Sequence, residues 1–377
     1  MDRFQIRFDD ERITDLRSRI ARTRWPDAAA DDWSYGTDPA FLRRLCAYWL
    51  EEYDWRTVED RLNRIPQHRL EVDGYPVHFV HARGETRDAL PLVLTCGWPS
   101  SFVEYEHVIE PLTHPSRYGG DASDAFDVII PSVPGFGFST PHAQAGYVHV
   151  ESLWRKLVVD ILGYKAFFAH GTDIGARVTS DLGRFHSDVV RAIHIGSVDL
   201  DWPESMPAQE DMSPEEAEYV RRARKWDSDE GGYAHQQSTF PQTLAYALND
   251  SPVGLASWIL EKHHRWSEHG ASAGSRFTHD ALLTNVMIYW LTESMNSSMR
   301  RYYEVRKRPR PTRPITTPTY IAMFPGEREL VVPNSWVCRT YNVQGWTDMP
   351  SGGHFPATEE PELFVADIRR SFRAYRA

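Results

Sequence analysis

Residues 166–176 read Ala166-Phe167-Phe168-Ala169-His170-Gly171-Thr172-Asp173-Ile174-Gly175-Ala176, and the fold class turns on this stretch. A short apolar strand runs into a small-x-Asp-x-small turn, and helical periodicity opens at about residue 175. A strand-to-helix elbow of this kind crowds its flanking positions, which suits Gly, and lifts the central side chain clear at the top of the sheet. Here the central residue is Asp173. A serine must lose a proton before it attacks, whereas an Asp near its ordinary pKa is already anionic at neutral pH. A Gly-flanked Asp also serves as a plain helix N-cap, and its place in a series of strands is what favours a nucleophile.

Short apolar runs recur on both sides of the elbow, at 76–81 (PVHFVH), 91–95 (PLVLT), 127–133 (DVIIPSV), 190–196 (VRAIHIG), 318–324 (PTYIAMF) and 340–344 (TYNVQ). Most are followed by Gly or Pro turns and then by helical periodicity. Apolar strands alternating with helices predict an α/β fold with a mainly parallel sheet covered on both faces. The clearest unit is a helix over 150–162 closed by Gly163, the strand 166–169 and the next helix. Residues 69–200 and 311–377 make the two parts of this core.

Between 201 and 310 the strand series stops. Ser213-Pro214-Glu215-Glu216 is a capping box with Pro at the first helical position, Ser251-Pro252 opens another helix, and 277–304 is helical in pattern. A helical block inserted there reads as a cap over the strand ends, with the Pro/Arg run 306–314 as the return linker. Residues 1–68 hold no strand signal. Ile13, Leu16 and Ile20 share one helical face, and Asp38-Pro39 starts a second helix, so this segment is predicted to be a helical extension.

The 377 residues are 41% hydrophobic and 25% charged, which excludes a disordered or fibrous chain. A net charge of −11 argues against nucleic acid or an anionic membrane as a main partner. No segment approaches the ~20 apolar residues needed to cross a bilayer, and the first residues lack an apolar signal-peptide core. Three widely spaced cysteines, Cys46, Cys96 and Cys338, fit a reducing compartment and offer no thiolate metal site. A cytoplasmic location is therefore expected. The 13 Trp, 17 Tyr and 17 Phe suit an apolar pocket.

An ester formed on Asp173 still has to be hydrolysed. That requires a base late in the chain, oriented by an acid, in the order nucleophile, acid, base. His354, in Ser351-Gly352-Gly353-His354-Phe355, follows the last strand run and precedes the final helix. The acid belongs after the preceding strand, where Glu327 follows Phe324-Pro325-Gly326; Glu329 and Asp348 are the competitors. Cys96-Gly97-Trp98-Pro99 follows strand 91–95, so the Trp98 N–H is one expected oxyanion donor, and the Ile174 N–H after the nucleophile is the other. Such donors are worth roughly 2.7–4 kcal/mol each. Gly135-Phe136-Gly137 in Pro134–Ser139 is not a dinucleotide motif, because position 140 is Thr and no helix pattern opens on it.

With these residues in view, the chain resembles an epoxide hydrolase of the α/β-hydrolase superfamily, in the branch of the microsomal and fungal enzymes. The family's Gly-Gly-Asp-Trp-Gly elbow appears as Gly171 to Gly175, and its His-Gly-Trp-Pro loop as Cys96 to Pro99. Its Phe-Pro-x-Glu segment appears as Phe324 to Glu327, and its Gly-Gly-His-Phe as Gly352 to Phe355. Thr23-Arg24-Trp25-Pro26-Asp27 and Asn249 to Ala256 match as well. The resemblance covers nearly the whole chain. It implies an α/β-hydrolase fold with an eight-stranded sheet, a helical cap and a helical N-terminal extension, and it favours Glu327 over Glu329. It also implies two epoxide-polarising tyrosines, Tyr233 and Tyr302, with Tyr303 one residue from the second. A phenol suits that role, since it remains protonated at neutral pH and can donate to an incipient alkoxide.

Three positions depart from the family pattern: Cys96 for His, Thr172 for Gly, and Ile174 for the Trp beside the nucleophile. The last reshapes the pocket floor. The resemblance implies hydrolysis of an epoxide with water to a vicinal diol, without cofactor or metal, in a chain lacking the microsomal membrane anchor. The aromatic residues of the cap point to an apolar or aryl epoxide, similar enzymes act in natural-product pathways of the enediyne type, and a homodimeric assembly is a further expectation. A haloalkane dehalogenase shares the Asp nucleophile, but commonly has a Trp where Ile174 stands. A catalytically silent, ligand-binding hydrolase fold is the alternative from a different class.

Overall fold

The computed structural model describes residues 1–140, 145–198, 211–268, 277–308, 311 and 313–376, apart from the side chains of residues 328–330. The strands are β1 (Gln67–Val72), β2 (Tyr75–Ala82), β3 (Leu90–Thr95), β4 (Phe126–Pro131), β5 (Phe167–Gly171), β6 (Val190–Ile195), β7 (Ile315–Met323) and β8 (Tyr341–Asp348). Among the described residues they form one eight-stranded sheet in the order β1-β2-β4-β3-β5-β6-β7-β8. β2 runs antiparallel to both β1 and β4, and every pairing from β4 through β8 is parallel. β4 and β5 are buried along their whole length, as strands covered on both faces must be.

All strands but β1 coincide with a predicted run. The expectation of no strand before residue 69 is corrected, because the sheet begins at Gln67. In β1 only Gln67 and Val72 are buried, so no apolar alternation marks it. Its place comes from pairing along β2 and from buried Gln67, which donates from Nε2 to the Leu62 carbonyl and contacts His78 Nε2 through Oε1 at 2.9 Å.

The helices are α1 (Asp10–Ala21), α2 (Pro39–Glu51), α3 (Trp55–Leu62), α4 (Glu106–Thr113), α5 (Val150–Arg155), α6 (Ile174–Phe185), α7 (Pro214–Glu230), α8 (Gly232–Thr239), α9 (Pro241–Asp250), α10 (Pro252–Trp266), α11 (His279–Thr292), α12 (Met295–Arg306), α13 (Asn334–Thr340), α14 (Pro356–Glu359) and α15 (Pro361–Phe372). Neighbouring residues of a strand point to opposite faces. In β6, Ile193 meets α6 at Gly183, whereas His194 meets α15 at Asp367. The two helices therefore cover opposite faces of the sheet.

Local signals set several helix starts as the sequence suggests. Asp38 caps α2 by accepting from the Ala40 and Phe41 N–H groups. Ser213 and Glu216 close a reciprocal capping box on α7, and Ser251 accepts from the Gly254 N–H at the start of α10. The N-terminal helices brace the helical block between β6 and β7. Leu16 and Ile20 are buried, with Ile13 half-buried. Tyr48 donates to Asp280 at 2.8 Å, and Arg19 pairs with Asp250 at 2.7 Å. The opening of the block at 201–210, and residues 309, 310 and 312 of the return linker, lie outside the described residues.

Candidate active site

Asp173 occupies the turn between β5 and α6 with φ 51° and ψ −124°, a conformation that costs a non-glycine residue of order 1–3 kcal/mol. The turn survives because its surroundings leave no alternative. A Cβ on Gly175 would sit 1.8 Å from the Thr95 carbonyl oxygen, and one on Gly97 would sit 2.3 Å from Asp173 Oδ1. Only glycine lets the β3 loop and the elbow approach so closely. The Asp173 N–H donates to Ser197 Oγ at 2.9 Å, which ties the elbow to the loop after β6. Beneath it, His170 Nδ1 meets His194 Nδ1 at 2.8 Å, and His194 Nε2 meets Asp367 at 2.8 Å, pinning β5 to β6 and α15.

The two oxygens of the Asp173 carboxylate have different surroundings. Oδ1 accepts from the Trp98 N–H at 2.9 Å, and the Ile174 N–H adds a second stabilising donor to the carboxylate. Oδ2 lies 3.9 Å from His354 Nε2. His354 Nδ1 in turn stands 2.5 Å from Glu327 Oε1. The loops bearing these two residues are joined where the Gly326 N–H donates to the Gly352 carbonyl, and the His354 N–H donates to the Trp266 carbonyl at the end of α10. The side chain of Glu329 lies outside the described residues. Asp348, at the end of β8, accepts from its own neighbour Trp346 at 3.2 Å.

Electrostatics follow from this nesting. Burial raises the Asp173 carboxyl above its ordinary value, and His354 with the Trp98 and Ile174 N–H groups pulls the other way. For His354, burial disfavours the charged ring, but the Glu327 and Asp173 carboxylates outweigh it and hold the imidazole up at about 9. At neutral pH the His354 ring is thus held in its charged form.

Tyr233, in the first turn of α8, is buried with its ring stacked on the Trp98 indole at 5.2 Å and 8°. Tyr302, on α12, meets the same indole edge-on at 6.0 Å, and the two phenol rings are 5.9 Å apart. Burial, and then the Asp173 carboxylate for Tyr233 or the Tyr233 phenol for Tyr302, push both hydroxyls above the usual phenol range. The Tyr302 hydroxyl is buried and interacts with the Tyr233 side chain. Asp173, His354, Glu327, Tyr233 and Tyr302 line one cavity of about 1020 Å³, together with Ile174. Trp98 joins them through its main chain and ring. The structure therefore brings together Asp173, Glu327, His354, Tyr233, Tyr302 and the Trp98 and Ile174 N–H groups, and leaves the competitors Asp348 and Tyr303 outside. Tyr303 points away, with Lys307 Nζ 3.9 Å from its ring centroid. Tyr246 is exposed, Tyr219 packs on Trp336, and Tyr289 donates to the Ser100 carbonyl.

Two residues at the site escape sequence reasoning. Trp266 packs against Tyr233 at 5.0 Å and against His354 at 4.8 Å, linking the helical block to the base. Glu104, in the turn Phe102–Tyr105, is buried with one carboxylate oxygen unpartnered, and burial pushes it up to about 7. The one sequence signal for Glu104 is an acid set among apolar residues shortly after Trp98-Pro99. No cluster of metal-ligating side chains occurs among the described residues, and no described helix is long and apolar enough to cross a membrane.

Known proteins resemble the chain over nearly its whole length. The family described as epoxide hydrolase N terminus matches residues 1–105, and the α/β hydrolase fold family matches residues 91–245. A relative from Stigmatella aurantiaca is 40% identical across 99% of this chain and 85% of its own. Epoxide hydrolase 1 of Oryctolagus cuniculus is 33% identical across 97% of this chain and 87% of its own. The structure of Aspergillus niger epoxide hydrolase superposes with a TM-score of 0.85 at 28% identity, covering 99% of this chain and 96% of that one. Likeness on this scale, spanning the N-terminal helices, the sheet and the helical block alike, makes the chain a member of the epoxide hydrolase family on the α/β-hydrolase fold.

Proposed function

We propose that this chain hydrolyses an apolar or aryl epoxide to a vicinal diol through an ester on Asp173, with residues 201–310 serving as the cap over the reacting groups. The observation that carries the proposal is the division of labour on one carboxylate. Oδ1 is held by the Trp98 N–H while Oδ2 stands 3.9 Å from His354 Nε2, and Asp173 shares its cavity with Tyr233 and Tyr302. In the first step Oδ2 attacks an epoxide carbon and the ring C–O bond breaks. The departing oxygen takes a proton through the tyrosine pair, and the His354 imidazolium replaces it. Neutral His354, oriented by Glu327, then removes a proton from water as its oxygen adds to the Asp173 Cγ. The Trp98 and Ile174 N–H groups receive the oxyanion. Collapse expels the diol oxygen, which takes the proton of the new carboxyl group, and restores the Asp173 carboxylate and the His354 imidazolium. The cycle adds one water to one epoxide and needs no cofactor.

Esterification makes the second step feasible. It removes the negative charge of Asp173, one of the influences that hold His354 near 9, which favours the neutral imidazole when a base is needed. The Trp226, Tyr233, Trp266 and Tyr302 rings in the cavity lining support an aryl or bulky apolar skeleton. A place in natural-product biosynthesis of the enediyne type is supported by the family resemblance. A cytoplasmic setting is supported by the unpaired cysteines Cys46, Cys96 and Cys338, and a homodimer is the proposed assembly.

The test is to incubate His354→Gln with styrene oxide and record intact mass with peptide mapping. A stoichiometric adduct on Asp173 is expected. Diol formation by the wild type with no adduct in the variant overturns the covalent scheme.

A further inference from the structure

Arg301 precedes Tyr302 on α12 and lines the same cavity, yet it is only 3% exposed. Its Nη1 donates to the Val148 carbonyl at 2.9 Å, and its guanidinium lies 4.6 Å from the centroid of the Tyr147 ring. Nε has no hydrogen-bond partner. The Tyr147 side chain also engages the guanidinium, and Glu151 and Glu304 favour its charge from nearby, but the acids around it have closer partners elsewhere. Glu304 lies 3.5 Å from Arg300, Glu151 2.9 Å from His149, and Asp181 pairs with Arg184 at 2.7 Å and Arg308 at 2.8 Å. A guanidinium does not shed its proton, so burial leaves a permanent charge.

The acids of the lining are engaged within the protein. Asp229 pairs with Lys225, and Glu230 lies 3.9 Å from Lys262 and 3.8 Å from Arg265. Glu268 accepts from the Gly352 N–H, and Asp173 and Glu327 share His354. Arg177, one turn along α6 from Asp173, and Arg306, at the end of α12, also line the cavity. A cation held inside a ligand cavity with a donor unspent is suited to an anionic oxygen brought by the ligand.

We infer that Arg301 anchors a carboxylate on the substrate, so that the preferred epoxides join an acid group to an aryl or apolar skeleton. The inference rests on the epoxide hydrolase reading of this cavity. It distinguishes a charged substrate from a neutral hydrocarbon epoxide, and it makes Arg301 a specificity residue. The neighbouring Tyr302 serves the ring oxygen while Arg301 holds the acid.

Two measurements on the full chain test it. The first compares kcat/KM for 4-carboxystyrene oxide and its methyl ester in the wild type, Arg301→Met and Arg301→Lys. The wild type should favour the acid, the acid-to-ester ratio should fall about tenfold or more in Arg301→Met, and Arg301→Lys should recover part of it. A ratio that Arg301→Met leaves unchanged, or a wild type favouring the ester, overturns the inference. The second measurement uses the unreactive probes 4-ethylbenzoate and 4-ethylbenzamide in calorimetric titration of the wild type, which depends on neither turnover nor the folding of a variant. Tighter binding of the benzoate supports the anchor, and equal or weaker binding overturns it. If neither epoxide is hydrolysed while the benzoate binds more tightly, the epoxide hydrolase reading fails and the anion site stands.

Discussion

His354 Nε2 stands 3.9 Å from Asp173 Oδ2, outside hydrogen-bond reach, while the Trp98 N–H grips Oδ1 of the same carboxylate at 2.9 Å. The oxygen turned toward the cavity is therefore left for attack, and the one turned toward the backbone is already where an oxyanion will form. The ion pair with His354 acts through space on both groups without tying up the nucleophilic atom.

The first prediction concerns pH. Ester formation needs an ionised Asp173 and a charged His354. Its single-turnover rate, followed by tryptophan fluorescence, should hold up to about pH 9 and fall roughly tenfold per unit beyond. Ester hydrolysis needs the neutral ring and should rise with pH to a plateau whose midpoint lies below 9, because Asp173 no longer contributes its charge. Identical midpoints for the two half-reactions would contradict the scheme.

Glu327→Gln removes the carboxylate that most strongly raises His354. Burial then prevails, so the upper pH limit of ester formation should move below 9. Hydrolysis of the ester should slow by about 10²- to 10⁴-fold from loss of orientation. Stopped-flow traces of both phases across pH separate the two effects. An upper limit that stays at 9 would remove Glu327 from this role.

Tyr233→Phe and Tyr302→Phe should each slow ester formation by roughly 10²-fold or more, with little effect on hydrolysis of an ester already formed. Tyr303→Phe should leave both phases alone, since Tyr303 is engaged with Lys307 away from the cavity. An equal loss in the Tyr303 variant would move the donor by one residue and the phase of α12 with it.

Gly175→Ala tests the elbow itself. A Cβ there meets a carbonyl oxygen at 1.8 Å, with no flexible side chain to yield. The destabilisation should reach or exceed the upper end of the ~1–3 kcal/mol typical of overpacking. Gly232→Ala, where a Cβ meets nothing within 4 Å, is the control and should leave the calorimetric Tm nearly unchanged or slightly higher. Equal Tm values for the two variants would show that the close approach is not what demands glycine.

Much of this protein is legible along the chain because the physics involved is local. A buried parallel strand needs a continuous apolar run, an elbow needs small residues on both sides of its apex, and a helix start needs a capping side chain. Ala166–Ala176, Asp38-Pro39 and Ser213–Glu216 each carry such a signal in sequence. Asp173, Glu327 and His354 could be placed in order for the same reason, since each follows a recognisable strand. β1 was not legible, because an edge strand with only Gln67 and Val72 buried takes its register from β2. Tertiary structure alone decided the rest. The spread of the Asp173 oxygens between Trp98 and His354, the elevated proton affinity of His354, the contact of Trp266 with both Tyr233 and His354, and the burial of the Arg301 guanidinium beside the cavity depend on charges and rings from distant segments meeting where water is excluded. Coulomb and desolvation energies scale with distance and burial in three dimensions, and spacing along the chain encodes neither.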